Sequence, residues 1–206
     1  MTTHESRPAR LRREVRATFL LSLPLVLGQL SQVGMNVVDT LLAGWHGPLT
    51  QAEVALGTQV WSLVIVTVIG VLMAVPPFVS QLNGAGRRAE VGALFRQAVW
   101  LALVLGVALL LLVRQADWLL GAVGVADEVR PGAVSFLRAV SWGAPALALF
   151  FCFRYLSDGI AWTVPTMLFG FGGLLGLVPL GYAFMFGALG LPEMGAAGLG
   201  YATALV

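Results

Sequence analysis

Long apolar stretches, separated by short clusters of charge, glycine and proline, divide this chain into segments of membrane-spanning length. The first, Ala17 to Ala43, carries no charged residue between Arg16 and Asp39. As a helix, a run of about twenty such residues covers a hydrocarbon layer about 30 Å thick. Within it Gln29, Gln32, Asn36 and Asp39 follow one another at steps of three, four and three, so they are predicted to share one narrow stripe of the helix. A carboxylate and three amides on a segment otherwise fit for lipid need a protein partner or a water-filled cavity. The stripe is therefore expected to form the wall of a transport pathway.

The same reading predicts a second helix over about 52–81. Gly47-Pro48 and the capping-box pattern Thr50-x-x-Glu53 precede it, and no charge appears from Val54 to Gly86. Pro76-Pro77 should bend it, and Asn83-Gly84-Ala85-Gly86 should end it ahead of Arg87 and Arg88. A third helix is expected over about 91–113, with an exit loop holding Arg114, Asp117, Asp127, Glu128 and Arg130. A fourth, about 131–155, contains Arg138 and Pro145. The fifth, about 163–186, has Pro165 in its first turn and a glycine-rich middle, Gly170 to Gly176, that lets another helix approach closely. Leu191-Pro192-Glu193 makes a loop, and a sixth helix begins near Gly195 and is incomplete at Val206. The expectation is an all-α integral membrane protein: a basic tail over 1–16, then a transmembrane bundle over 17–206 that is a fragment of a longer protein.

Composition agrees with this class. The chain is 58% hydrophobic and 11% charged, about half the charge of a soluble domain, with a mean hydropathy of +0.88. A net charge of +2, concentrated at the N-terminal end, gives no reason to expect nucleic acid. The single cysteine, Cys152, excludes an intramolecular disulfide and reads as a small packed side chain, while His4 and His46 offer no metal pair. The run after the basic tail is longer than a signal peptide's apolar region, so the first helix is expected to stay uncleaved. With the N-terminus in the cytoplasm, nine arginines (7, 10, 12, 13, 16, 87, 88, 96 and 154) fall inside, against Arg114, Arg130 and Arg138 outside. That balance obeys the positive-inside rule and puts Asp39 in the outer half of the first helix.

Several motifs in register now point to a family. Pro24, Gly28-Gln29, Val38-Asp39-Thr40 and Ala43-Gly44 resemble the opening helix of multidrug and toxic compound extrusion (MATE) transporters of the NorM type. Ala55-Leu56-Gly57, then Pro76/Pro77 with Gln81 to Arg87, is similar to the second helix of that family. Arg154 to Gly159 with Thr163-x-Pro165 resembles the junction of its fourth and fifth helices, and Leu191 to Gly195 with Gly198 and Ala202-Thr203-Ala204 the entry to its sixth. The resemblance implies a twelve-helix antiporter of two six-helix bundles, of which this chain would be the N-terminal bundle with its sixth helix truncated and the C-terminal bundle missing. It implies export of small organic cations or amphiphiles, driven by Na⁺ or H⁺, across the inner membrane of a bacterium, with no cofactor.

Within that resemblance Asp39 belongs to the cation-responsive network, where a proton and a Na⁺ ion can compete for one carboxyl, and Thr203 is a possible neighbour. The bland alternative is an acid wetted at the helix end. Where the family's fifth helix has the pattern N-P-L-N, this chain has Leu177 and Gly181 in the polar positions, which leaves Asp39 fewer ligands there. Gln29, Gln32, Met35, Asn36 and Met167 are candidates for a substrate cavity; the amides could equally hydrogen-bond to neighbouring helices, and the methionines could simply pack. Gln59 and Gln81 read as helix-bundle glue, and Arg154 and Asp158 as anchors of a turn. Two other activities stand as alternatives: a related lipid-linked oligosaccharide flippase, for which Arg138 is the one basic candidate, and a membrane-embedded enzyme, for which Asp39 lacks a catalytic partner.

Overall fold

Proline and glycine decide where the helices of this chain start, break and touch. A computed structural model describes residues 7–190 and 192–206. The expectations for residues 1–6 of the tail, His4 included, and for Leu191 lie outside them. Helix α1 runs over Arg7–His46, so the helix already includes most of the predicted basic tail. Its successor α2, Pro48–Leu72, opens on proline at its first turn, where a missing N–H costs nothing. The expected capping box is not formed: no side chain caps α2, and Thr50 Oγ1 instead lies 2.9 Å from His46 Nδ1.

The second segment is two helices, α2 and α3 (Val75–Gly84), rather than one helix over 52–81 bent at its prolines. Proline has no N–H for the carbonyl four residues earlier and its ring crowds that carbonyl. Pro76 and Pro77 therefore strip Leu72 and Met73 of their partners, and the break falls there, one turn ahead of the prolines. The fourth segment shows the same logic. Pro145 leaves the Ser141 carbonyl unpaired, α6 (Arg130–Ser141) stops at that residue, and α7 (Ala144–Gly159) departs at 52°. The expected single helix over 131–155 is thus a broken one. Between them α4 covers Arg88–Val113, and α5 (Ala116–Ala122) is a short helix where the sequence suggested only a loop. Helix α8 spans Val164–Phe186 and α9 Ala196–Leu205, joined through a 3-10 turn at Ala188–Gly190.

Among the described residues, three stretches are long and apolar enough to cross a membrane: Pro48–Gly84, Arg88–Val113 and Val164–Phe186. The bent pair α6–α7 makes a fourth. Lipid tails are as apolar as leucine, so helices here associate by close packing rather than by escape from water. Small residues make that possible. Helix α1 lies along α8, with Gly28 over Thr166 and Gly170 over Ser31. Helix α6 packs on α9 through Gly200, and α4 on α7 through Gly106. Phe136, Leu137, Phe151 and Leu72 fill the interior, and Cys152 is buried among them.

A β-carbon at Gly106 would stand 2.5 Å from the Pro145 Cα and 3.0 Å from the Ala144 carbonyl oxygen, both backbone atoms that cannot swing away. Gly106→Val is expected to destabilise the bundle by about 1–3 kcal/mol, the usual cost of overpacking. Gly70, with nothing within 4 Å of the same position, should accept alanine without loss. Thermal melting of the two purified variants in detergent checks the contrast.

Candidate functional site

Helix α1 presents three faces. Leu23, Val26, Leu30, Val33, Val37 and Leu41 form an exposed apolar stripe, while Gly28, Ser31 and Leu42 are buried. The polar residues lie between these faces, but not on the single narrow stripe that their spacing suggested. At about 100° per residue, the ten-residue step from Gln29 to Asp39 leaves them about 80° apart. The polar track therefore winds around the helix. Gln29 ends on the exposed side, Gln32 is half-buried, Asn36 is exposed, and Asp39 reaches the buried side with 6% of its surface accessible.

Asp39 and Asn36 open onto a cavity of about 390 Å³ between α1 and α2. Thr40 and Ala43 complete the α1 wall. The α2 wall is Gln51, Val54, Ala55, Thr58, Gln59 and Ser62. Asp39 Oδ1 is buried without a hydrogen-bond partner among the described residues. Two hydroxyls of the lining are committed to their own helices: Thr40 Oγ1 donates to Asn36 O at 2.8 Å, and Ser62 Oγ to Gln59 O at 2.7 Å. Each keeps its oxygen lone pairs free to accept.

The other predicted residues lie outside this lining. Gln29 and Gln32 sit further toward the start of α1. Met35 packs over Gly173 of α8, its Cε 2.5 Å from where a β-carbon there would stand. Met167 is half-buried at the α1–α8 seam, its Cα close to Gly28. Thr203 donates its hydroxyl to Leu199 O at 2.9 Å within α9. Helix α8 meets the later turns of α1 with apolar positions, Leu177 buried and Gly181 against Leu42 and Leu199, while the buried Thr166 faces Gly28 at the earlier turns. Among the described residues there is no group of three or more His, Cys, Asp and Glu able to hold a metal ion.

At its far end α1 is tied down by His46. Its Nε2 donates to Glu193 Oε1 at 3.0 Å, since a carboxylate can only accept, and its ring rests 5.6 Å from that of Phe186. Arg154 and Asp158 approach to 4.0 Å in the last turn of α7, where the sequence placed an anchor.

The bundle of apolar helices that holds this cavity resembles known proteins in sequence and in fold. The MatE family model matches residues 24–183. The chain belongs to the MatE family. It is 50% identical over 196 residues to the probable multidrug resistance protein NorM of Xanthomonas campestris, covering 95% of this chain and 43% of that protein. It is 40% identical over 194 residues to the multidrug resistance protein MdtK of Yersinia pestis, covering 94% and 42%. The outward-facing structure of a multidrug resistance MATE family transporter of the MOP superfamily superposes with a TM-score of 0.83 at 23% identity, over 92% of this chain and 41% of that one. The chain thus spans about two fifths of the length of the MatE relatives it matches, and its fold is that of the N-terminal half of a MATE-type transporter. These relatives are transporters, not enzymes.

The α2 wall was absent from the sequence-based candidates, apart from Gln59 as packing glue. Its signal was present: Gln51, Thr58 and Ser62 stand at steps of seven and four, with Gln59 beside Thr58, and no charge follows Glu53 until Arg87. If the cavity holds water, Asn36→Cys and Gln59→Cys should react with a hydrophilic maleimide several-fold faster than Val68→Cys, whose position is buried. The wild-type chain should remain unlabelled, because Cys152 is buried. Mass spectrometry after timed labelling reads the difference.

Proposed function

We propose that the full-length protein is a secondary antiporter that exports cationic or amphipathic compounds in exchange for Na⁺ or H⁺. The unsatisfied, buried carboxylate of Asp39 at the edge of a cavity with amide and hydroxyl groups in its lining carries this reading. Such an acid in a membrane helix marks an ion pathway. In this reading the bundle described here supplies one wall of the transport route, and a second bundle of the same protein supplies the other. The relatives named for multidrug resistance support the cargo class.

The protein sits in the inner membrane of a bacterium with its N-terminus in the cytoplasm. The nine-to-three arginine balance supports that orientation. The bundle's alternation sorts the helix ends onto two sides: the end of α1 meets the α8–α9 loop through His46 and Glu193, while the end of α7 packs on α3 through Gly159 and Val79. The flippase reading gains little support, since Arg138 is exposed on α6 and outside the cavity lining.

Efflux of a fluorescent organic cation from cells expressing the full-length gene, under separately imposed Na⁺ and pH gradients, tests the proposal. Asp39→Asn is expected to lower the gradient-driven rate by about tenfold or more. Wild-type efflux with unchanged ion dependence in that variant would refute it.

A further inference from the structure

Helix α6 is enclosed on almost every side. After Gly132 each of its residues is buried except Ser135 and Arg138, and the exposed Trp142 follows at its C-terminal cap. Steps of three and four keep Ser135, Arg138 and Trp142 within about 60° of one another, so α6 surfaces along a single stripe. Beside that stripe runs α4. Its outward side is apolar through Val104, Val107, Leu111 and Leu112, and the first residue past its end is Arg114. The Arg114 guanidinium lies over Trp142, its Cζ 4.4 Å from the ring centroid.

These two arginines lack the usual company. Among the described residues neither Arg114 nor Arg138 forms an ion pair, whereas Arg130 at the same end of the bundle has Asp117 at 3.3 Å and Asp127 at 3.6 Å. Arg114 Nε is buried with no hydrogen-bond partner among the described residues. Two unpaired cations thus flank one exposed tryptophan at the edge of an apolar surface. Tryptophan rings and arginine heads gather at the headgroup level of a bilayer, with the apolar part in oil and the polar end at its boundary. Helix α5 fits that level. It buries Ala116 and Leu120 and exposes Trp118, Leu119 and Val123, as a helix lying in the boundary does. A cation there is costly unless something negative comes to it, and the planar fork of a guanidinium matches the oxygens of a phosphate.

We infer that Arg114, Trp142 and Arg138 form a binding site for an anionic phospholipid. Its phosphodiester is held by the two guanidiniums, and its acyl chains lie along the apolar outward side of α4. The lipid is one whose headgroup carries no ammonium to balance the phosphate. It is a fixed neighbour of the bundle rather than cargo, and the site does not depend on the exporter reading. The orientation argued above puts it in the outer leaflet. Trp142 is also where α6 gives way to α7, so a bound headgroup braces the 52° break.

The test titrates the purified full-length protein, in nonionic detergent, with phosphatidylglycerol and, separately, with phosphatidylcholine of the same chains. Native mass spectrometry counts the retained lipid. Melting temperature is followed in parallel, since a ligand confined to the folded state raises it saturably. Wild type should retain phosphatidylglycerol in preference to phosphatidylcholine. Arg114→Gln and Arg138→Gln should each raise the half-saturating phosphatidylglycerol concentration about fivefold, the scale of one basic side chain at an anionic surface. The double variant should exceed either. If Arg114→Gln does not fold, Arg138→Gln, at an exposed position, carries the test alone. Arg96→Gln, which removes an exposed charge nearer the other end of α4, should titrate as wild type. Equal retention of the two lipids, arginine variants that titrate normally, or an equal shift in Arg96→Gln would overturn the inference. So would the same rise in melting temperature with inorganic phosphate at equal concentration, which would make the site one for a free anion. A wild-type protein with no saturable response, its stripe covered by the second bundle, would overturn it too.

Discussion

A buried carboxylate oxygen on α1, with no hydrogen-bond partner among the described residues, sets the terms for everything packed around that helix. An isolated charge in such surroundings costs several kcal/mol, and a bundle tolerates it only where a partner or a hollow is supplied. Here the hollow is supplied by α2, and the rest of the bundle holds α1 in register with it. Small residues at Gly28 and Gly170 bring α8 close along one side, and the His46–Glu193 hydrogen bond fixes the end of α1 seven residues beyond the acid. Asp39 is thus presented by a helix that is clamped on one flank and open on the other.

The packing that clamps it is of the kind membranes impose. With no hydrophobic gain from helix contact, close approach does the work, and glycines stand where backbones meet: Gly106 against Pro145, Gly143 against Ala204, Gly200 against Phe136. Prolines shape the same bundle by a second route. Each deprives a carbonyl one turn upstream, and where two prolines act together, or one stands beside Gly143, the helix parts at the deprived residue. Pro24 and Pro179, each alone inside a long helix, leave α1 and α8 unbroken.

Much of the fold was legible because membrane helices write themselves in hydropathy. Helix α8 was expected at about 163–186 and occupies Val164–Phe186. Boundaries set by local chemistry were harder. Thr50 had the sequence of a cap, yet its hydroxyl is engaged by His46, a residue on the preceding helix that no local pattern could weigh against it. The breaks at Leu72 and Ser141 lie four residues from their prolines, so a reading that watches the proline itself looks in the wrong place. Half of the site was visible in the same way. Asp39 stood out by charge, whereas Thr58, Gln59 and Ser62 are neutral and scattered among valines, and only the fold reveals that they face the acid across a gap. Thr203, on α9, is not among the residues that line the cavity, a separation that hydropathy alone does not carry.

The winding of the α1 polar track has a geometric corollary. Because Gln29 and Asp39 point about 80° apart, they lie at opposite edges of any one face of this helix. Turning it about its own axis by a little under a quarter of a revolution would carry Asp39 to the bearing that Gln29 held, about 15 Å further along the axis. A straight stripe would merely advance or retreat; a skewed one makes angular position a selector of chemistry.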